Sequence, residues 1–380
     1  MESESADHQQ VHVLSIQSHV VSGYVGNTAA VFPLQLLGFD VHVINSVQFS
    51  NHTGYPVVKG TVMNGTELDA LVDGLISNDL CHFDYLLTGY IGSETFLNSI
   101  LRVLDSCRRI NPDIKYVCDP VLGDNNKLYV PLPLIDIFKS ALLPRAFMIT
   151  PNQLEAEYLS GIKITSERHV VECMRKLYDM GPSVVVLTSC EIEEHPNLLC
   201  CYVLSESKDV GNVKGDGATS AFSLSEAEGS DSAMQMTRVV VEKQCDFHYT
   251  GTGDVTCALL LAWVHKLSAG MGGVPSSSSA SEVCMHPCGH ALRYSISTIQ
   301  SVLLRAQQNA VKRAAVMKSR NALSKAKGQD TESATAAAGA LQAIKCKLVE
   351  LPIIQCKRDI EDPVPIHLDK CTTWLLNTSI

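Results

Sequence analysis

The sequence predicts an α/β fold, with a mostly parallel central sheet and helices on both faces, and three observations predict it. Short, nearly continuously apolar runs recur along most of the chain, as strands covered on both faces do. Helix-period patterns alternate with them, the order that builds parallel sheets. Polar residues follow successive apolar runs, where open α/β sheets bind ligands.

The strand candidates, in order, are VHVLSI (11–16), VHVINS (41–46), YLLTGY (85–90), KYVCDP (115–120), AFMITP (146–151) and SVVVLTS (183–189). LLCCYVLS and TRVVVEK add two more toward the C-terminus. Between them, SETFLNSILRVLDSCRRI (93–110) and SERHVVECMRKLYDMG (166–181) read as helices. The second opens on Ser and closes on Gly, a sensible cap at each end. SISTIQSVLLRAQQNAVKRAAVMKSR (295–320) reads as a helix with a solvated basic face. The polar strand-end residues are Ser15, Ser18, Asn45, Thr88, Asp119, Thr150, Asn152 and Thr188. Each alone reads as a cap or turn; their recurrence points to one shared site.

The chain of 380 residues is 46% hydrophobic and 18% charged, a globular composition able to bury a core. Its net charge of −10 argues against nucleic acid or anionic lipid as the main partner. The polar start MESESADHQQ has neither the basic nor the apolar region of a secretory signal. VTCALLLAWV is too short to span a bilayer. The 14 cysteines, many inside apolar runs, read as packed thiols. A soluble cytoplasmic protein is therefore expected. The expected organisation is one domain over 11–365, a disordered start over 1–10, and flexible low-complexity insertions at 206–235, 268–290 and 319–342.

The most specific stretch is HYTGTGDVTCALLLAW (248–263), where a GTGD turn runs into an apolar helix. Glycine turns and aspartate caps are common, so the bland reading is structural. The chemical reading uses more of the pattern. Glycines let backbone N–H groups converge while the helix N-terminus adds positive potential, a cradle for phosphate. Binding an anion gives no reason for an acid there; accepting a proton from an attacking hydroxyl does. Phosphoryl transfer uses both parts, with Asp254 as base and the Gly251–Gly253 amides holding developing charge. No G-x-x-x-x-G-K-[ST] occurs, and the third glycine of a dinucleotide fingerprint is missing after Gly253.

Phosphoryl transfer also calls for a divalent cation. CDPVLGD offers Asp119 and Asp124; TPNQLEAE offers Asn152 and Glu155, which share one face of a helical first turn. Such oxygens suit Mg²⁺, although N-x-x-E is also a relative of the capping box. CMHPCGH places Cys284, His286, Cys288 and His290 within seven residues. Its spacing matches no common zinc module, so adventitious binding or none is expected.

VLSIQSHVVSGYVGN (13–27), NSVQFSNHTGY (45–55), LLTGY (86–90), YVCDPVLGD (116–124), LYVP (128–131), ITPNQLEAE (149–157), GTGD (251–254) and KRDIEDP (357–363) together resemble the eukaryotic pyridoxal kinase family. That family is part of the ribokinase-like superfamily, so the resemblance implies a ribokinase-like three-layer sandwich. It implies ATP-dependent phosphorylation of the 5′-hydroxyl of pyridoxal, pyridoxine and pyridoxamine, with ATP, Mg²⁺ or another divalent cation, K⁺ and a homodimer. By resemblance, Asp254 is the base and Gly251 and Gly253 form the anion hole. Ser18 meets the polar edge of the pyridine ring, Thr53 lies near its substituents, and Val25, Phe49 and Tyr90 wall it. Asp119, Asn152 and Glu155 match the metal and phosphate network, with Asp124 a nearby metal-linked acid. Thr150 and Thr188 match the monovalent-cation and ATP side, Ser189 and Thr252 flank the phosphates, and Tyr129 falls in a covering loop. Only NNKL separates Asp124 from Tyr129, so that loop is short. A kinase of another small alcohol and a non-catalytic binding protein are the competing readings.

Overall fold

The computed structural model describes residues 10–206, 234–243, 249–270, 285–325 and 334–376. The first elements are β1 (Val11–Ser22), α1 (Asn27–Leu36), β2 (Phe39–Asn51), β3 (Gly60–Val62), α2 (Gly65–Ser77), β4 (Tyr85–Thr88) and α3 (Glu94–Ile110). Next come β5 (Lys115–Cys118), a hairpin of β6 (Gly123–Asp124) and β7 (Lys127–Leu128), α4 (Leu132–Ile137), β8 (Met148–Ile149), α5 (Gln153–Ser160) and α6 (Glu167–Asp179). The chain continues through β9 (Val184–Cys190), β10 (Leu198–Glu206), β11 (Met234–Glu242), α7 (Thr252–Ser268), α8 (Pro287–Lys325), α9 (Ala334–Leu348), α10 (Lys357–Glu361) and β12 (Cys371–Leu376).

The chain divides into two compact units. The first comprises Met1–Ile114, Gln244–Leu259 and Ser297–Val364; the second comprises Lys115–Lys243, Leu260–Ile296 and Pro365–Ile380. In the first, β4, β1 and β2 lie side by side and parallel, and β3 pairs antiparallel with β2. All four residues of β4 are buried, and Leu14, Ile16, Leu34, Leu68, Leu86 and Leu97 fill the core. A strand buried on both faces has no use for alternation, hence the continuous apolar runs. α3 starts where the Ser93 hydroxyl accepts the Phe96 N–H at 3.3 Å.

In the second unit β5, β8 and β9 are parallel, and β10, β11 and β12 add antiparallel strands in turn. Tyr116, Phe138 and Tyr202 are its largest fully buried side chains. Ser166 caps α6 by accepting the His169 N–H.

The structure moves some expected boundaries. β1 runs to Ser22, so Ser15 and Ser18 lie inside a strand, with a register shift between Gln17 and Ser18. Asn45 and Thr188 are likewise within β2 and β9 rather than at their ends. The basic helix expected over 295–320 begins earlier, at Pro287, and runs to Lys325. Of the low-complexity stretches, 207–233, 271–284 and 326–333 lie outside the described residues, as do residues 1–9. The described parts of 319–342 are helical, belonging to α8 and α9. No helix among the described residues is long and apolar enough to cross a membrane.

Candidate active site

The glycine turn is built as the sequence pattern suggests, in the first unit. Gly251 sits at φ +89°, and a Cβ there would lie 1.9 Å from the Tyr24 carbonyl oxygen. Only glycine permits both the left-handed backbone and that approach. α7 starts at Thr252, so Asp254 falls in its first turn beside the exposed Gly253. The Val255 N–H bonds back to the Gly251 carbonyl at 3.2 Å, closing the turn. N–H groups of such a first turn point out along the helix axis and favour negative charge.

Asp254 is half-buried and accepts a hydrogen bond from the main-chain N–H of Gly26. Burial nevertheless wins, raising its carboxyl from an ordinary 3.8 to about 6. A carboxylate so placed is a stronger base than an exposed one and still ionised at neutral pH. Gly26 is itself in the left-handed region, at φ +52°, with a Cβ position 2.2 Å from the Ser18 carbonyl oxygen.

Those contacts bring four expected residues together. Ser18 backs Gly26, Gly26 holds Asp254, and Val25 lies against Gly251. Phe49, Thr53 and Tyr90 sit at the carboxyl ends of the neighbouring strands. Phe49 pairs with Val20 across β1 and β2; Thr53 follows β2 by two residues, and Tyr90 follows β4 by two. Phe49 and Tyr90 are half-buried, whereas Thr53 is exposed. Burial raises the Tyr90 hydroxyl, which therefore stays protonated. Beneath them Asn27 anchors a buried network: its Oδ1 accepts from Ser15 at 2.7 Å, and its Nδ2 donates to the Ile44 carbonyl and the Asn45 side chain.

The second unit assembles the acidic residues. Asp119, Thr150 and Glu155 are each at most 5% exposed. The Thr150 hydroxyl donates to Asp119 Oδ1 at 3.0 Å. Asn152 and Glu155 form a full capping box on α5, so the structural reading of N-x-x-E holds. Glu155 also does more. Its Oε1 accepts from the N–H groups of Leu122 and Gly123, its Oε2 from that of Asn152, and Asn152 Nδ2 donates to the Gly123 carbonyl. Burial, and then the charge of Asp119, push the Glu155 carboxyl well above the usual range against those three donors. Asp124 opens a two-residue turn in which Asn125 and Asn126 take φ of 49° and 59°. Asparagine tolerates that conformation, so the loop to Tyr129 is a tight hairpin. Tyr129 is 46% exposed and its N–H bonds to the Leu122 carbonyl. Thr188 bonds twice to the Pro151 carbonyl, at 3.0 Å through its N–H and 3.3 Å through its hydroxyl. Ser189 follows it, half-buried, in β9.

Comparison with known proteins agrees with this chemistry. Residues 40–224 match the phosphomethylpyrimidine kinase family model. The chain is 36% identical over 362 residues to the pyridoxal kinase of Homo sapiens, covering 93% of this chain and 96% of that one. The chain belongs to the pyridoxal kinase family. It is also 46% identical over 254 residues to the pyridoxal kinase of Arabidopsis thaliana, covering 67% of this chain and 74% of that one. The pyridoxal kinase of Leishmania donovani in complex with ADP and pyridoxine superposes with a TM-score of 0.69 at 27% identity, over 96% of this chain and 99% of that one. The fold is thus the ribokinase-like one expected from the sequence, and the chain is a kinase.

For a pyridoxal kinase family member, three residues near the expected site gave no clear sequence signal. Gly26 carries no signal of its own within the run 13–27. His52 and Glu350 are 298 positions apart, yet His52 Nε2 lies 3.2 Å from Glu350 Oε1. The Gly54 N–H bonds to His52 Nδ1, so Nε2 carries the proton and donates to Glu350. The Tyr55 hydroxyl donates to the same oxygen at 3.0 Å. Burial alone would raise Glu350; these bonds and the Tyr24 N–H outweigh it and hold the carboxyl below its usual range. A cleft of about 460 Å³ lined by Ser22, Tyr24, Asn51, Tyr55, Arg313 and Glu350 adjoins that loop, and Asp254 is not among its lining residues. In the Cys/His cluster, Cys284 lies outside the described residues. Ser205 and Gln235 engage His286, and Arg293 meets His290, while Cys288 is buried.

Proposed function

We propose that this chain transfers the terminal phosphoryl group of ATP to the 5′-hydroxyl of pyridoxal, pyridoxine and pyridoxamine, with Asp254 as the general base. The observation that carries the reading is the placement of Asp254: first turn of α7, directly after the glycine turn, fixed by the Gly26 N–H and raised to about 6. Asp254 takes the proton of the 5′-hydroxyl as its oxygen bonds to the γ-phosphorus and the bond to ADP breaks. The amides from Gly251 to Gly253, with Thr252 between them, receive the charge gathering on the phosphoryl oxygens. Ser18 and Thr53 orient the ring by its polar groups; Val25, Phe49 and Tyr90 exclude water from its faces.

Asp119, Asp124, Thr150, Asn152 and Glu155 are assigned to the metal and phosphate side, with Tyr129, Thr188 and Ser189 beside ATP. The donor set fits Mg²⁺: all are hard oxygens, and the mutual repulsion of Asp119 and Glu155 is what a divalent cation relieves. When bound, Mg²⁺ supplies charge neutralisation and orientation for the phosphates. K⁺ activation, a homodimer and a cytoplasmic location complete the reading.

Purified protein with MgATP and pyridoxal should form pyridoxal 5′-phosphate, followed by its absorbance. Absence of turnover across divalent metals and K⁺ concentrations would sink the proposal. Because the matching family model is that of phosphomethylpyrimidine kinases, a hydroxymethylpyrimidine belongs in the substrate panel, and preference for it would reassign the alcohol.

A further inference from the structure

We propose that His12, Asp40 and His42 form a site for a first-row divalent transition ion of the Zn²⁺ class, at the opposite end of β1 from the residues assigned to catalysis. The parallel register sets it up. His12 of β1 pairs with Asp40 of β2, and His42 follows Asp40 by two residues. Alternation then puts all three side chains on one face of adjacent strands. Ser18 lies six positions along β1 from His12, about 20 Å of extended chain.

The donor atoms converge. His12 Nδ1 lies 3.2 Å from His42 Nε2, and Asp40 Oδ2 lies 3.5 Å from the first and 3.7 Å from the second. Metal bonds of about 2.0–2.2 Å to nitrogen and oxygen would span those separations with angles of roughly 100–125° at a common centre, around the tetrahedral value. Two imidazoles and one carboxylate leave a fourth position, and the side chains are 36–44% exposed, so that position opens to water. The Phe83 and His42 rings meet edge to face, with centroids 5.2 Å apart, which steadies the imidazole plane. Asp84 instead accepts the His12 main-chain N–H at 2.8 Å. Imidazole donors select zinc, nickel or copper over Mg²⁺, so this site does not compete for the metal of ATP. Among the described residues, these three are the one group of His, Cys, Asp and Glu whose ligand atoms all lie within 4.8 Å of one another. Occupied, it would clamp the first residues of β1 to those of β2 and stabilise the folded chain by mass action.

The test is calorimetric titration of metal-stripped, untagged protein with Zn²⁺ at neutral pH. Cys284→Ser and Cys288→Ser are present throughout, removing the soft ligands of the other cluster. The parent should bind one equivalent that His42→Ala lacks and Asp40→Asn binds at least tenfold more weakly. Saturating Zn²⁺ should raise the thermal midpoint of the parent and not of His42→Ala. Both variants should phosphorylate substrate at the parent rate, so a failure of the kinase reading leaves the metal result intact. Identical titrations for the parent and both variants would overturn the site and leave two rings sharing a proton. Should His42→Ala fail to fold, Asp40→Asn decides the matter alone.

Discussion

The main-chain N–H of Gly26 holds the carboxylate of Asp254, linking the loop after β1 to the first turn of α7. One bond thereby fixes the direction of the proposed base without neutralising it. A lysine or arginine in that place would depress the carboxyl and weaken it as a base. A neutral backbone donor orients it and opposes burial only in part. Asp254→Asn keeps the size and an acceptor oxygen and removes the basicity. Its kcat should fall by about 10²–10⁴-fold, with pyridoxal and ATP binding, read by calorimetry, close to the parent. Near-parental turnover would remove Asp254 from the chemistry.

The same carboxyl sets a pH limit. Raised to about 6, it must be ionised to accept a proton, so log kcat/KM should fall with unit slope below about pH 6 and level off above it. Stability runs the other way. The folded state holds this proton more tightly than the unfolded state does. The contribution is complete below the ordinary value of 3.8 and is lost as pH rises through about 6. At pH 7.5 Asp254→Asn should therefore be the more stable protein, by on the order of 1–3 kcal/mol in urea unfolding. An unchanged midpoint at that pH would mean the group is not strained in the native state.

Gly251 tests the cradle separately from the base. A methyl group there meets the Tyr24 carbonyl at 1.9 Å on a backbone at φ +89°, so the turn must open. Gly251→Ala should lose about 10²–10³ in kcat, the range for disturbing charge-stabilising donors, while a pH profile still breaks near 6. A variant with parental kcat would show that the amides do not serve the phosphoryl group.

How far these features could be read in advance depended on how local their causes are. Strands such as Tyr85–Thr88 were legible because burial on both faces imposes a continuous apolar run. The GTGD turn and the N-x-x-E box were legible because each is complete within a few residues. β12 (Cys371–Leu376) escaped notice: its residues are half-buried or exposed, and its pairing partner β11 is over a hundred residues away. Ser18 read as a strand end because the irregularity after Gln17 has no signature in residue type. The tie between His52 and Glu350, and the meeting of His12 with His42, come from chain topology, which no local pattern encodes.

Glu155 is a hub more than a simple ligand. Its two oxygens take N–H donors from Leu122, Gly123 and Asn152. In Glu155→Gln one of those oxygens becomes an NH₂ facing an N–H group, whichever way the amide turns. The loss should be about 1–3 kcal/mol in stability, together with a lower kcat and a higher KM for MgATP as the 119–124 segment shifts. Asp119→Asn removes the like charge instead and should leave the stability unchanged or higher. If Glu155→Gln unfolds at the parental denaturant midpoint, the hub role is wrong.

Glu350 acts at a distance from the transferred group and should show it kinetically. It receives His52 and Tyr55, which bracket Thr53, while Gln342 and Cys346 both donate to the Gly54 carbonyl. The 52–55 loop is thus pinned by α9 and the residues just after it. Glu350→Ala frees His52 and Tyr55 and leaves one buried and one half-buried polar group without an acceptor. KM for pyridoxal should rise about tenfold, equivalent to roughly 1.4 kcal/mol. KM for ATP should hold, because the nucleotide-side residues lie on other elements. Glu350→Gln keeps an oxygen for His52 and Tyr55 and should recover most of the affinity. A rise in both Michaelis constants, or none in either, would place Glu350 outside substrate positioning.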